Sequence, residues 1–133
     1  MIRTDIDIKD DIFGWLLGSA LVGMISGKVY KDSRPLNSAK EDIVISVLAR
    51  DAGSQVQRVT VNVNIYVPDI RRGQEAVEDQ TRIRTLATEA ASLFEYKNEY
   101  GAVYELDSQE VIAVNGTDWH VINNQLKIRY NNE

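Results

Sequence analysis

The chain contains one histidine, His120, and an aspartate, Asp118, lies two positions before it. Residues two apart in a strand lie on the same face, so Asp118 could orient the imidazole of His120 as a general base. The nucleophile would have to be Ser108 or Thr117, and no nucleophile-elbow motif surrounds either residue. Alternating polar residues are also typical of a strand face in contact with water. We therefore predict no catalytic residues, and we keep a ligand-binding domain or enzyme that uses His120 and Asp118 as an alternative.

Metal and cofactor sites are not predicted either. The chain has no cysteine, which excludes disulfides and thiolate ligands. Acidic residues are grouped at 5–11 and at 75–79, but neither group contains the glycine-centred twelve-residue loop of a calcium site. Carboxylates that precede a helix are commonly capping groups. No Walker loop or dinucleotide fingerprint occurs, and the formal glycosylation acceptor Asn115-Gly116-Thr117 is explained by turn chemistry.

Arginine and glutamine side chains are the candidates for protein contacts. Arg71 and Arg72 form a local basic cluster in a predicted loop beside Gly73. Arginine is enriched at protein interfaces, although a solvated loop would also account for this pair. The candidate interface residues are Arg34, Gln55, Gln57, Arg71 and Arg72.

Length and composition limit the class of protein. The 133 residues suit a single domain spanning 1–133, and 44% hydrophobic with 26% charged residues is typical of a globular protein. A net charge of -5 disfavours nucleic-acid binding unless the basic groups are strongly segregated. The apolar run 12–25 is shorter than the roughly 20 residues that span a bilayer, and aspartates precede it where a signal peptide needs positive charge. We interpret this run as a buried helix and expect no membrane partner.

The first half of the chain predicts one helix and two long strands. The helix is expected to begin near Asp10 or Asp11 and to carry an apolar stripe as far as Met24. A short segment at Val29-Tyr30 leads into the polar stretch 31–41, which predicts a loop or a flexible arm. Strands at 42–50 and 56–67 alternate clearly and are longer than average. We expect them to form a long hairpin that projects from the domain with an exposed tip.

The second half of the chain predicts a helix and further strands. A loop at 68–75 precedes a helix from about Ala76 to Tyr96. Strands on either side of a two-residue Asn115-Gly116 turn would place Ile112 opposite Trp119, on the face that it shares with Val121. Asn123-Asn124 is expected to be a bulge or a second turn before a terminal strand. The predicted fold class is α+β, an antiparallel sheet with a long projecting hairpin and two helices packed on one face.

The order of these elements resembles the tail-terminator, or tail-completion, proteins of long-tailed bacteriophages. An N-terminal helix leads into Gly27-Lys28-Val29-Tyr30, and Arg34-Pro35 follows in a loop. The paired strands 42–50 and 56–67, the helix rich in alanine and leucine around 86–91, and the closing strands complete the resemblance, which covers most of the chain.

The resemblance implies a structural protein without cofactor or catalytic activity. Proteins of that family form a ring, typically a hexamer, which caps the completed tail tube and offers a surface to the head-neck connector. The implied partners are further copies of the chain, the tail tube protein and the connector proteins. The implied location is the virion tail, and the host cytoplasm during assembly. Another neck or head-completion component of a phage or prophage is a further alternative.

Overall fold

A computed structural model describes residues 3–52, 56–99 and 101–131 of the chain. Over these residues the protein has a mixed α+β fold with three helices and a curled six-stranded sheet. The helices are α1 (Asp5–Leu17), α2 (Ala20–Met24) and α3 (Gln80–Phe94). The strands are β1 (Val29–Lys31), β2 (Ile43–Ala52), β3 (Val56–Pro68), β4 (Ile70–Arg72), β5 (Glu75–Val77), β6 (Tyr96–Glu99), β7 (Ala102–Ala113) and β8 (Trp119–Asn131).

The first helix begins five residues before the predicted start at Asp10. The Thr4 hydroxyl accepts a hydrogen bond from the Asp7 amide, and the Asp7 carboxylate accepts one from the Thr4 amide. This capping box satisfies backbone amides that would otherwise lack partners at the start of α1. The hydrogen bond from the Thr4 amide also lowers the pKa of Asp7. Asp10 and Asp11 therefore lie inside the helix and do not cap it.

The predicted single helix is divided into α1 and α2. The amide and the hydroxyl of Ser19 both donate to the Leu16 carbonyl oxygen, at 3.0 and 2.6 Å, and these hydrogen bonds end α1. The break changes the helical phase, so the predicted stripe to Met24 is only partly buried. Ile12, Leu16 and Leu21 lie in the core, whereas Leu17 is exposed. No helix among the described residues is long and apolar enough to cross a membrane.

The sheet has the strand order β1-β2-β3-β8-β7-β6. Its central strands β3 and β8 are antiparallel and pair along their whole length, from Val56 opposite Asn131 to Pro68 opposite Trp119. The other pairs of this sheet are antiparallel except for β1 with β2, which is parallel. The prediction of an antiparallel sheet is therefore correct except at this edge. The alternation predicted for β3 is confirmed by the core positions Val59, Val61, Val63, Ile65 and Val67.

The long β2–β3 hairpin lies within the sheet over its described residues. The reason is that β8 pairs with β3 as far as Val56, so there is no stretch of β3 that extends beyond a neighbouring strand. The sequence indicated that β3 was long but not that β8 is equally long. The predicted exposed tip falls at 53–55, outside the described residues.

The predicted Asn115-Gly116 hairpin turn is longer than two residues. Ile112 lies opposite Val121 and not opposite Trp119, which shifts the predicted register. Both the amide and the hydroxyl of Thr117 donate to the Val114 carbonyl oxygen, and the Val114 amide donates to the Trp119 carbonyl oxygen. Residues 114–118 therefore form the connection, in which Gly116 adopts the positive φ of 76°.

Three further predictions for the second half of the chain are corrected. The region 68–75 contains β4, which forms a small hairpin with β5 around Gly73 at a φ of 64°. Helix α3 begins later than Ala76 because the Asp79 carboxylate caps it by accepting from the Arg82 amide at 3.2 Å. Asn123-Asn124 does not interrupt β8, because the buried Asn124 side chain is hydrogen-bonded to Gln109 and to the Val63 carbonyl oxygen.

One hydrophobic core joins the helices to the sheet. All three helices contribute to it, which corrects the prediction of two helices. The core side chains from the helices are Ile8, Ile12, Leu16, Leu21, Ile83, Leu86, Ala90 and Phe94, and they lie in one cluster with the core positions of the strands. The face of the sheet opposite this core is called the outer face below.

Candidate assembly interface

The two outer strands of the sheet cover only part of their neighbours. β1 pairs with β2 at 43–45, and β6 pairs with β7 at 102–105. Beyond these pairs, and within the described parts of the chain, no strand flanks the outer side of β2 at 46–52 or of β7 at 106–113. We call these segments the β2 free edge and the β7 free edge. Their backbone amides and carbonyl oxygens on that side are available to another strand.

The two free edges lie at opposite ends of the sheet. The β2 free edge is beside the beginning of β3, since Ala52 lies opposite Gln57. The β7 free edge is beside the beginning of β8, since Ala113 lies opposite His120, which pairs with Val67 near the end of β3. Each free edge starts at an irregularity in pairing, between Val47 and Ala49 in β2 and between Leu106 and Ser108 in β7.

Both free edges present apolar side chains to solvent. Leu48 on β2 is 58% exposed, and Val111 and Ile112 on β7 are 43% and 46% exposed. Charges of opposite sign lie next to them. Arg50 of β2 remains partly exposed although it pairs with Asp5 at 3.1 Å, and Glu110 of β7 is exposed.

The outer face changes in character along the strands. Near the beginning of β8 it carries the aromatic rings of Tyr66 and Trp119. In the middle it carries amides, where the Asn123 amide donates to Asn64 Oδ1 at 2.6 Å and to Asn62 Oδ1 at 3.3 Å. At the far end lies a cleft of about 390 Å³, which we call the outer cleft. The outer cleft is lined by parts of β2, β3, β7 and β8, among them Ala49, Thr60, Leu106, Asp51, Asp107 and Lys127.

Arg34 lies against the aromatic part of the outer face and is only 13% exposed. Its guanidinium is stacked between the rings of Tyr66 and Trp119, with its central carbon 4.4 and 4.3 Å from the ring centroids. Arg34 Nη2 donates to the Ser38 carbonyl oxygen at 2.8 Å, and Nε is 3.4 Å from Asp42 Oδ2. Cation–π contacts and an ion pair thus fix the loop 32–42, which we call the Arg34 loop. The loop prediction is confirmed, but this loop is anchored and is not a flexible arm.

Two acidic residues hold the base of the Arg34 loop. Asp42 is buried and accepts from the Lys28 amide at 3.0 Å and from the Ser38 hydroxyl at 2.5 Å. Arg82 of α3 donates to both carboxylate oxygens of Glu41, at 2.7 and 2.8 Å. The guanidinium of Arg82 thereby lowers the pKa of Glu41, and Glu41 raises the pKa of Arg82. These contacts fasten the loop to the helical side of the molecule.

The glutamine candidates do not form an exposed contact surface in the described structure. Gln57 is fully buried on the core side of β3. Its Oε1 accepts from the Arg3 amide and its Nε2 donates to the Arg3 carbonyl oxygen, both at 2.8 Å. Gln57 therefore pairs with the backbone ahead of α1, and its prediction as an interface residue is corrected. Gln55 lies outside the described residues.

The two remaining candidates, Arg71 and Arg72, are exposed on the β4–β5 hairpin. Arg71 donates to the Gln74 carbonyl oxygen at 3.2 Å, and its Nη2 is 3.6 Å from Asp118 Oδ2. Its side chain is 67% exposed, so water screens these contacts. This hairpin is available to a partner, but its arginines are not held in one geometry by aromatic rings as Arg34 is.

The structure does not bring His120, Asp118 and a hydroxyl together. The carboxylate beside His120 is Asp69, whose Oδ1 is 2.6 Å from His120 Nδ1, and His120 Nε2 is 3.8 Å from Glu78. Asp118 faces Arg71 instead. The Thr117 hydroxyl is used within the 114–118 connection. Asp69 was missed from the sequence because it was assigned to a loop after Pro68, and its contact with His120 depends on the pairing of β3 with β8.

A second cleft, of about 510 Å³, lies between α1 and the strands β6, β7 and β8. Its charged groups are already paired within the chain, Arg3 with Asp11 at 2.5 Å and Lys97 with Glu99 at 2.9 Å. Burial raises the pKa of Tyr130, which donates to Asp11 at 3.3 Å. Tyr130 is therefore held as a neutral donor and not as a phenolate base. The described residues contain no cluster of three or more metal-ligating side chains.

The residues of the free edges were not identified from the sequence. The adjacent apolar pair Val111-Ile112 was one available signal, because neighbouring apolar residues in a strand point to opposite faces and at least one face must be covered elsewhere. Comparison of the chain with protein-family models gives no match, and comparison with curated proteins gives no significant match. The resemblance to tail-terminator proteins therefore stays a prediction from sequence.

Proposed function

We propose that the protein is a structural assembly protein of a phage or prophage tail. In this proposal it forms a ring that terminates the tail tube and joins it to the head-neck connector. The observation that carries the proposal is the presence of two free strand edges at opposite ends of one sheet. A free edge favours pairing with another chain, and a molecule with two such edges can be joined on both sides.

The strand directions support contact between identical copies. β2 is antiparallel to β3, β3 to β8 and β8 to β7, so β2 and β7 run in opposite directions. A second copy placed with its β7 free edge beside the β2 free edge of the first would therefore continue the antiparallel pairing. Leu48 would approach Val111 and Ile112, and Arg50 would approach Glu110, which matches apolar with apolar groups and opposite charges.

A contact between two different surfaces of the same protein is heterologous. Such contacts form closed rings when the rotation between copies closes, and open filaments when it does not. A ring that caps a tube satisfies every free edge and stops growth. This is the physical reason why we favour a tail terminator over a subunit of the tube, where rings must stack repeatedly.

The proposal is tested by measuring solution mass over a range of protein concentrations and by electron microscopy with isolated tail tubes. We expect a discrete oligomer that caps one end of each tube. The double variant Val111→Lys and Ile112→Lys should remain folded and monomeric, since both side chains are largely exposed. The matched control Thr117→Lys, in the exposed connection 114–118, should assemble normally. A wild-type protein that stays monomeric and never caps a tube would contradict the proposal.

Two alternatives make different predictions in the same assay. A neck or head-completion component would also form a ring but would bind the head or the connector and leave the tube end open. A ligand-binding domain or enzyme would depend on His120, and the close contact of His120 with the buried Asp69 is the observation that favours it. The variant His120→Ala should keep full assembly and tube capping if the protein is a tail terminator.

A further inference from the structure

Leu36 is fully exposed at the outermost part of the Arg34 loop. It lies between Pro35 and Asn37, which are also exposed. An isolated exposed leucine is ordinary on a flexible surface loop. The Arg34 loop is different because it is fixed at both ends.

Contacts on each side of Leu36 hold this loop in place. On one side, Arg34 is stacked between Tyr66 and Trp119 and bonded to the Ser38 carbonyl oxygen. On the other side, the Ser38 hydroxyl donates to the buried Asp42. Leu36 is thus presented by a loop whose conformational entropy has already been reduced. A side chain held in this way loses little further freedom when it is buried by a partner.

The outer cleft has the properties of a receptor for such a side chain. Its accessible surface is mainly apolar, and charged residues surround it. Its volume of about 390 Å³ is sufficient for a leucine side chain. A small apolar pocket surrounded by groups that exclude water is the typical environment of a dominant contact residue in an interface.

A single copy cannot place its own Leu36 in its own outer cleft. The Arg34 loop is stacked on Tyr66, whereas the outer cleft contains Thr60, six residues earlier in β3. Six residues of a strand span about 20 Å. The loop and the cleft therefore lie at opposite ends of one face, as the two free edges do, and only a second copy can join them.

The loop and the cleft also coincide with the two free edges. Ala49, Arg50 and Asp51 of the β2 free edge line the cleft. Ile112 of the β7 free edge lies opposite Val121, which pairs with Tyr66 beneath the Arg34 loop. A copy whose β7 free edge met the β2 free edge of its neighbour would bring its Arg34 loop towards the neighbour's outer cleft.

Charges near the two surfaces agree with this arrangement. Lys40 is exposed at the end of the Arg34 loop. Asp51 and Asp107, on the outer strands that border the cleft, are exposed. Opposite charges at the rim of an apolar contact favour one orientation of approach.

We propose that Leu36 of one copy inserts into the outer cleft of the next copy and fixes the register between neighbouring subunits. This inference rests on the proposed function, because it requires that copies of the chain assemble. It adds a specific contact that backbone pairing alone does not provide. Backbone pairing tolerates a shift by two residues, whereas a side chain in a pocket allows one position.

Cysteine cross-linking tests this contact directly because the chain contains no cysteine. Leu36→Cys and Thr60→Cys are prepared as separate proteins, mixed and oxidised, and the linked peptides are identified by mass spectrometry. We expect a disulfide between position 36 of one copy and position 60 of another. Mixing Leu36→Cys with Thr117→Cys, which is exposed in the 114–118 connection, is the matched control and should give no specific product.

The variant Leu36→Ser provides a second, independent measurement. We expect self-association to weaken about 10- to 100-fold, the change that corresponds to loss of one buried leucine. Thermal stability of the unassembled protein should not change, because Leu36 is fully exposed within one copy. If the wild-type protein assembles but Leu36→Ser assembles equally well and no 36–60 disulfide forms, this inference is wrong and the proposed function stands. If the wild-type protein is monomeric at every concentration, both are wrong.

Discussion

The Arg34 loop and the β4–β5 hairpin both carry arginines that the sequence suggested as contact residues, and the structure treats them in opposite ways. The side chain of Arg34 is 13% exposed and lies between two aromatic rings, whereas that of Arg71 is 67% exposed. The residue type is the same in both places. The difference is the surface beneath, because Tyr66 and Trp119 lie under the first connection and no comparable pair contacts Arg71 among the described residues. Arginine stabilises a loop when planar partners are already in place.

Removing the guanidinium of Arg34 should have the largest effect on stability. Arg34→Ala is expected to reduce the free energy of unfolding by about 3 kcal/mol, because two cation–π contacts are lost and the buried Asp42 loses its cation. Urea denaturation measures this change. Arg34→Lys keeps the charge but not the planar stacking, and should show an intermediate loss. A loss below about 0.5 kcal/mol for Arg34→Ala would mean that the loop is held by its other contacts.

A smaller effect is expected at the base of the same loop. A Cβ added to Gly27 would overlap Asp42 Oδ1 and the Glu41 carbonyl oxygen. Because one of these atoms is backbone, Gly27→Ala should cost about 2 kcal/mol in the free energy of unfolding. Gly23→Ala is a matched control, since nothing lies within 4 Å of a Cβ there and alanine favours helix α2. Equal stability of the two variants would argue against close packing at Gly27.

The ion pair between Glu41 and Arg82 links the loop to α3 and should respond to pH. Arg82 lowers the pKa of Glu41, so the stabilisation is complete above the unfolded pKa of about 4.3 and is lost as the pH falls through the folded value. Glu41→Gln should reduce the free energy of unfolding by about 1.5 kcal/mol at neutral pH. Its stability should also fall less steeply in acid than that of the wild type. Asp7, whose pKa is lowered as well, should preserve part of the acid dependence.

The smallest effects are expected on the β4–β5 hairpin. Arg71→Ala and Arg72→Ala should each change the free energy of unfolding by less than about 0.5 kcal/mol, because both side chains are exposed and Arg71 has only screened contacts. Thermal denaturation at low and high salt measures this. A loss above about 1 kcal/mol would remove the contrast between the two arginine-bearing connections.

The sequence predicted those elements whose pattern is local. The alternation in β3 located that strand and its buried face to within one residue, because one side of the strand is apolar throughout. The loop around Pro35 was also predicted. The division of α1 from α2 was not, because it depends on two hydrogen bonds from Ser19 to Leu16 and not on apolar spacing.

Features that depend on distant residues could not be read from the pattern. The polar residues Gln57 and Asn124 are fully buried because Arg3 and Gln109 happen to satisfy their amides. The apparent break at Asn123-Asn124 therefore vanishes inside β8. Arg34 was singled out correctly as unusual, but its burial depends on Trp119, which is distant in sequence and approaches only when β8 pairs with β3.

The pairing irregularities in β2 and β7 have a consequence for the life of the protein before assembly. A bulge increases local twist and disrupts the regular spacing of backbone groups, and both occur where the covering strand ends. A freshly made chain thus avoids presenting a flat template that any passing strand could extend. Only a surface with the same curvature can dock, so the distortion protects a crowded pool of free subunits from precipitating while leaving the correct neighbour able to bind.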